Sequence, residues 1–126
     1  MRIQDCGRSA GPKGKRKAVE GESACRFVEA LVSAATGIGI AELRATNRGE
    51  AREAFARQTA MYLAHVGLGL SLSQVGSNFG RDRTTVAHAC ARVEDRRDDP
   101  KFERVLACLE TALGRWQAGF AADGTP

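Results

Sequence analysis

From Ser23 to Thr36 the apolar side chains Phe27, Val28, Leu31, Val32 and Ala35 recur at three- and four-residue intervals, which is the spacing of one face of a helix. Gly37 follows where a left-handed helix cap would sit. The next segment, IGIAELRATNRG, has room for one short helical turn before Asn47 to Gly49 break it. A longer helix is predicted from about Glu50 to Val66, because Phe55, Thr59, Tyr62 and Val66 share a face with Ala54 and Met61 beside it. Gly67 and Gly69 end it.

Ser71 is placed to cap a short helix whose apolar residues are Leu72, Val75 and Phe79, and Gly80 to turn the chain. A second helix, from Arg83 or Thr84 to Arg97, carries Val86, Ala89, Cys90 and Val93 on one face. Thr84, His88, Arg92 and Asp95 fall on another. Pro100 permits a fresh start, and Phe102, Val105, Leu106, Leu109, Leu113 and Trp116 form a stripe through the last helix. No strand alternation of useful length and no internal repeat is present. The expected fold is therefore all-α, a compact bundle of five or six helices. Residues 1–22 read as a disordered basic arm, 23–117 as the folded domain and 118–126 as a flexible tail.

Composition agrees with one domain, since 126 residues at 43% hydrophobic content can close a core. No run of about 18 apolar residues occurs, and the N-terminus lacks the apolar stretch of an export signal. The four cysteines show neither a C-x-x-C pair nor finger spacing, so the expected setting is a reduced cytoplasm. The formal charge of +4 is unevenly spread. The first 22 residues hold six basic and three acidic side chains, including the KGKRK cluster. Residues 44–97 hold nine arginines, and no lysine, against five acids. Arginine's planar fork suits phosphates and guanine edges, so this division favours nucleic acid as the partner.

A short helix, a glycine-containing turn and a second helix with a polar outer face fit a helix-turn-helix, whose second helix enters the major groove N-terminus first. Arg81, Asp82, Arg83, Thr84 and Thr85 stand there. Arginine can bond guanine O6 and N7, aspartate can accept from cytosine, and threonine offers a hydroxyl and a methyl. The competing reading is a capped, solvated helix start with Asp82 as the N-cap.

The stretch ARQTAMYLAHVGLGLSLSQVGSNFGRDRTTVAHACARVE closely resembles the C-terminal DNA-binding domain of the bacterial chromosomal replication initiator DnaA. The motif residues are Arg57, Gln58, Ala60 to Leu63, Ser71, Leu72, Val75, Gly76, Phe79, Gly80 and Arg81 to Cys90. VSAATGIGIAELRA and FERVLACLETAL extend the likeness to about residues 25–113. The resemblance implies base-edge contacts from Asp82, Arg83 and Thr84, and phosphate contacts from Thr85, His88, Arg57 and Gln58. Leu72 and Ser73 would also approach the backbone, with Arg81 at the head of the reading helix.

Four departures matter. Arg83 stands where the family pattern has histidine, and it can either read a guanine or grip a phosphate. The segment before the long helix is about one residue longer than the pattern, so Arg48 and Arg52 compete for the family's minor-groove arginine; Arg48 is preferred. His65 replaces an expected basic residue. The initiator's ATPase module has no counterpart, because GPKGKRK does not match a phosphate-binding loop. The expected protein is thus a reader of double-stranded DNA without nucleotide, cofactor or membrane, located at the nucleoid. Its arm either adds DNA contacts or solubilises.

A metal site is disfavoured because Cys90 and His88 fall on different faces of one helix; buried thiols explain Cys25, Cys90 and Cys108 better. No nucleophile–base arrangement is readable, so catalysis is not expected. The Phe102–Trp116 stripe is assigned to the core over a partner surface. Two functions stay open: site occupancy controlling transcription or replication, including competition with the full-length initiator, and an adaptor that keeps the fold without binding DNA.

Overall fold

The computed structural model describes residues 13–45 and 50–123. The helices are α1 (Lys13–Thr36), α2 (Ile40–Arg44), α3 (Ala51–Tyr62), α4 (Leu72–Phe79), α5 (Arg83–Arg96) and α6 (Pro100–Asp123), with a π-helical turn at Leu63–Gly67. The all-α expectation holds among the described residues. None of these helices is long and apolar enough to cross a membrane.

Two boundaries differ from the periodicity. α1 begins at Lys13 rather than Ser23, and α6 continues to Asp123 instead of fraying after Gln117. Apolar period marks only the part of a helix that packs, and the Lys, Arg, Ala and Glu residues ahead of Ser23 are good helix formers. The rest of the expected arm, residues 1–12, and the last three of the expected tail lie outside the described residues.

α3 is the axis of the bundle, packed against α1, α2 and α5. Ala60, Met61 and Tyr62 are buried, as are Leu63 and Ala64 beyond them. Around them close Cys25, Val28 and Val32 from α1, Val86, Ala89, Cys90 and Val93 from α5, and Leu106, Leu109 and Leu113 from α6. The α5 face is the one its spacing foretold. Three other expectations fail. Val66 is 38% exposed because the π turn widens the spiral and rotates it out of phase with Phe55, Thr59 and Tyr62. Val105 is 44% exposed at the margin of the α6 stripe. Cys108 is exposed, since it sits about 200° around the helix from Leu106.

Polar groups lock the bundle. Tyr62 donates its hydroxyl to Glu94 Oε2 at 2.6 Å and accepts from Arg97 Nη1 at 3.0 Å. Arg97 also holds Glu103 and Glu110 at 2.7–3.1 Å. This cluster fixes the corner where α5 turns into α6. The His65 ring meets the Leu70 carbonyl through Nδ1 at 2.7 Å, which closes the turn that leads into α4. The ring is 5% exposed. Trp116 stacks on Phe27 with centroids 4.4 Å apart, assigning that part of the α6 stripe to packing.

Candidate nucleic-acid interface

The α4–turn–α5 unit is set by local chemistry. Ser71 Oγ accepts the Gln74 amide at 3.0 Å while Gln74 Oε1 accepts the Ser71 amide at 2.8 Å, a reciprocal cap. Gly80 adopts φ 68° and ψ 35°, a left-handed conformation that side chains disfavour. Gly76 is needed for a different reason: a Cβ there would collide with the Arg81 carbonyl, which crosses α4 at that point. The Arg81 amide bonds the Gly76 carbonyl at 2.9 Å.

Asp82 is the N-cap of α5, its Oδ1 accepting the Thr85 amide at 2.8 Å. The Thr85 amide and hydroxyl, together with the Thr84 amide, hold its carboxyl below the usual carboxylate range. The capped-start reading of Asp82 is therefore correct as far as it goes. It leaves the following residues presented outward: Arg83, Thr84, Thr85 and His88 are all exposed. Among the described residues, neither Arg83 nor His88 makes a side-chain hydrogen bond or ion pair, and the Thr84 hydroxyl makes no hydrogen bond. Leu72 and Ser73, in the first turn of α4, are half-buried and exposed respectively.

Arg57 and Arg81 are occupied in a way the sequence did not foretell. Arg57 is 8% exposed and donates Nε to the Leu43 carbonyl at 2.8 Å and Nη2 to the Glu42 carbonyl at 2.9 Å. Burial, and the nearby Arg81 charge, lower its proton affinity. Arg81 donates Nη2 to the Ala45 carbonyl at 3.0 Å. The last carbonyls of α2, where the helix dipole is negative, are thus gathered by two guanidinium groups. Gln58 is half-buried, and its Oε1 is buried with no hydrogen-bond partner among the described residues. Arg48 lies outside the described residues, between Ala45 and Glu50. Its competitor Arg52 is exposed on α3 and reaches the Thr36 carbonyl at 3.4 Å.

A cluster that sequence reading missed lies beside the turn. Glu29, only 2% exposed, accepts from Arg26 Nε at 2.9 Å and Arg44 Nη2 at 2.8 Å. Arg26 also donates to the Asn78 carbonyl at 2.9 Å, joining α1 to the end of α4. A hollow of about 280 Å³ opens here between Arg44, Phe79, Gly80 and Arg81. The signal was present: Glu29 falls on the buried stripe between Cys25 and Val32, where a lone acid needs a cationic partner. Among the described residues no cluster of metal-ligating side chains occurs.

Residues 26–93, the stretch from Arg26 through the buried face of α5, match the family model described as the bacterial DnaA protein helix-turn-helix. The chain belongs to the bacterial DnaA helix-turn-helix family. Among its DnaA relatives, the chromosomal replication initiator protein DnaA of Symbiobacterium thermophilum is 37% identical over 84 residues. That alignment covers 65% of this chain and 18% of the relative. The DnaA of Lachnoclostridium phytofermentans is 43% identical over 58 residues, covering 44% of this chain and 13% of that protein. The chain therefore spans less than a fifth of either relative. A crystal structure of a DNA replication initiation factor superposes with a TM-score of 0.70 at 27% identity, over 79% of this chain and 30% of that one. The DnaA-family match includes every expected contact residue from Arg48 to His88.

Proposed function

We propose that this chain binds double-stranded DNA sequence-specifically through its DnaA-type helix-turn-helix and acts by occupying sites, without catalysis, in control of replication initiation or transcription. The observation that carries the reading is the outer face of α5, where Arg83, Thr84 and His88 stand exposed on the first half of a helix whose other face is packed. Arg83 and Thr84 would meet base edges, with Asp82 able to accept from a cytosine amino group beside its capping role. Thr85, His88, Ser73 and the start of α4 at Leu72 would meet phosphates.

Arg81 and Arg57 serve this interface partly through α2. They hold the carbonyls of residues 42, 43 and 45, and so fix one end of the segment that contains Arg48, the residue assigned to the minor groove. Arg57 Nη1 and the Gln58 amide are the groups left for phosphate. The expected localisation is the nucleoid.

Fluorescence anisotropy with a duplex carrying the initiator's binding site, titrated across salt, tests the reading. Neutralising the KGKRK cluster should weaken all duplexes together and flatten the salt slope if the arm touches DNA. Full-length initiator should displace the chain from that duplex; independent binding of both would contradict competition.

A further inference from the structure

At the other end of α5 an open groove of about 490 Å³ runs between α1, α3, α5 and α6. Its floor is apolar, built from Val32, Phe55, Val105 and Leu109, and its rim carries Arg52, Arg92 and Arg96. Among the described residues no acidic side chain lines it. Val105 is the most exposed large hydrophobic residue among those described, at 44%, and it opens onto this groove. Arg96 lies with its guanidinium carbon 4.6 Å from the Phe55 ring centroid. Phe55 in turn meets Phe102 at 5.0 Å. Arg92 is exposed and makes no hydrogen bond or ion pair among the described residues.

We infer that this groove docks an acidic amphipathic helix of a partner protein. An apolar floor asks for aliphatic or aromatic side chains at i, i+3 or i+4, and i+7. Three arginines without a compensating acid select carboxylates flanking that stripe. The groove is open along one side, so it cannot bury most of a small ligand, whereas a helix laid along it leaves one face in water. The inference goes beyond DNA binding, because apart from Arg52, the competitor set aside in favour of Arg48, the groove is lined by none of the residues considered for bases or phosphates.

The test uses the full chain and three synthetic helical peptides. One bears Leu at i, i+3, i+4 and i+7 flanked by Glu, the second has the same stripe flanked by Lys, and the third is a scramble of the first. Amide shifts should move around Phe55, Arg92 and Val105 with the Glu peptide alone, and Val105→Glu or Arg96→Glu should weaken it about tenfold. Folding of each variant is checked by its thermal transition, and Val105→Thr, with the smaller polarity change, should give an intermediate loss. Equal binding of the Glu and Lys peptides, or shifts elsewhere, overturns the inference. Self-association abolished by Val105→Glu would assign the groove to a second copy and also overturn it. So would a loss of duplex affinity in Arg92→Glu with peptide binding unchanged, since the rim would then serve phosphates.

Discussion

Arg81 donates Nη2 to the Ala45 carbonyl at 3.0 Å, tying the residue before the α5 N-cap to the residue that caps α2. Arg57 binds the two carbonyls beside it, so the reading helix and the segment after α2 share one anchor. Truncating Arg57 strands the buried Leu43 carbonyl, and Arg57→Ala should cost roughly 1–3 kcal/mol in urea unfolding. Arg57→Lys should recover little, because a single ammonium cannot span both acceptors. Arg81→Ala should cost less stability while lowering affinity for all duplexes alike.

The two glycines of the turn fail for different reasons, and substitution separates them. Gly80→Ala forces a side chain into the left-handed region and should cost about 1–2 kcal/mol. Gly76→Ala drives a Cβ into the Arg81 carbonyl, which can move only if the turn opens. It should therefore lose more stability and most duplex affinity, as read by thermal unfolding and anisotropy. Equal losses at both positions would contradict the close crossing.

Acid should loosen α5 at its start. The Asp82 carboxyl is held below its unfolded value, so its contribution is present above the ordinary carboxylate range and is lost as pH falls through the depressed folded value. Amide exchange at Thr84 and Thr85 should rise over that interval in the native protein. In Asp82→Asn, whose side chain caps without titrating, the rise should be absent.

Alkali should destabilise the core through groups that burial keeps neutral. Desolvation pushes the Cys25 and Cys90 thiols up to about 11, and desolvation with the Glu94 hydrogen bond pushes Tyr62 to about 12. Each folded value lies above the unfolded one. Their stabilisation is complete below about pH 9 and falls as pH rises toward 11–12. The denaturation midpoint should drop between about pH 9 and 11, by less in Cys90→Ala than in the parent. In a Cys6→Ala background, a thiol reagent at neutral pH should label Cys108 quickly and Cys25 and Cys90 only on unfolding.

What the sequence made legible was local. The α5 face, the Ser71 cap, the Asp82 cap and the left-handed Gly37 and Gly80 all follow from rules acting within a few residues. Periodicity gives a stripe but not its phase against neighbours, which is why Val66 and Val105 were assigned inward. A π turn inserted after Tyr62 leaves no mark in the hydrophobic pattern. The arginine count was the least specific signal. Of the nine in the central block, Arg44, Arg57, Arg81 and Arg97 bind protein groups, as Arg26 does on α1, through pairings that only the tertiary fold creates.

Selection of bound sequences from a random duplex pool at near-physiological salt tests the central claim most directly, since low salt inflates non-specific affinity. The account predicts one sharp motif for the parent chain. Thr84→Ala should flatten it, and Arg83→His should change preference at one position while leaving the rest. No enriched motif, or the same enrichment from the parent and both variants, would contradict the assignment of base reading to the exposed start of α5.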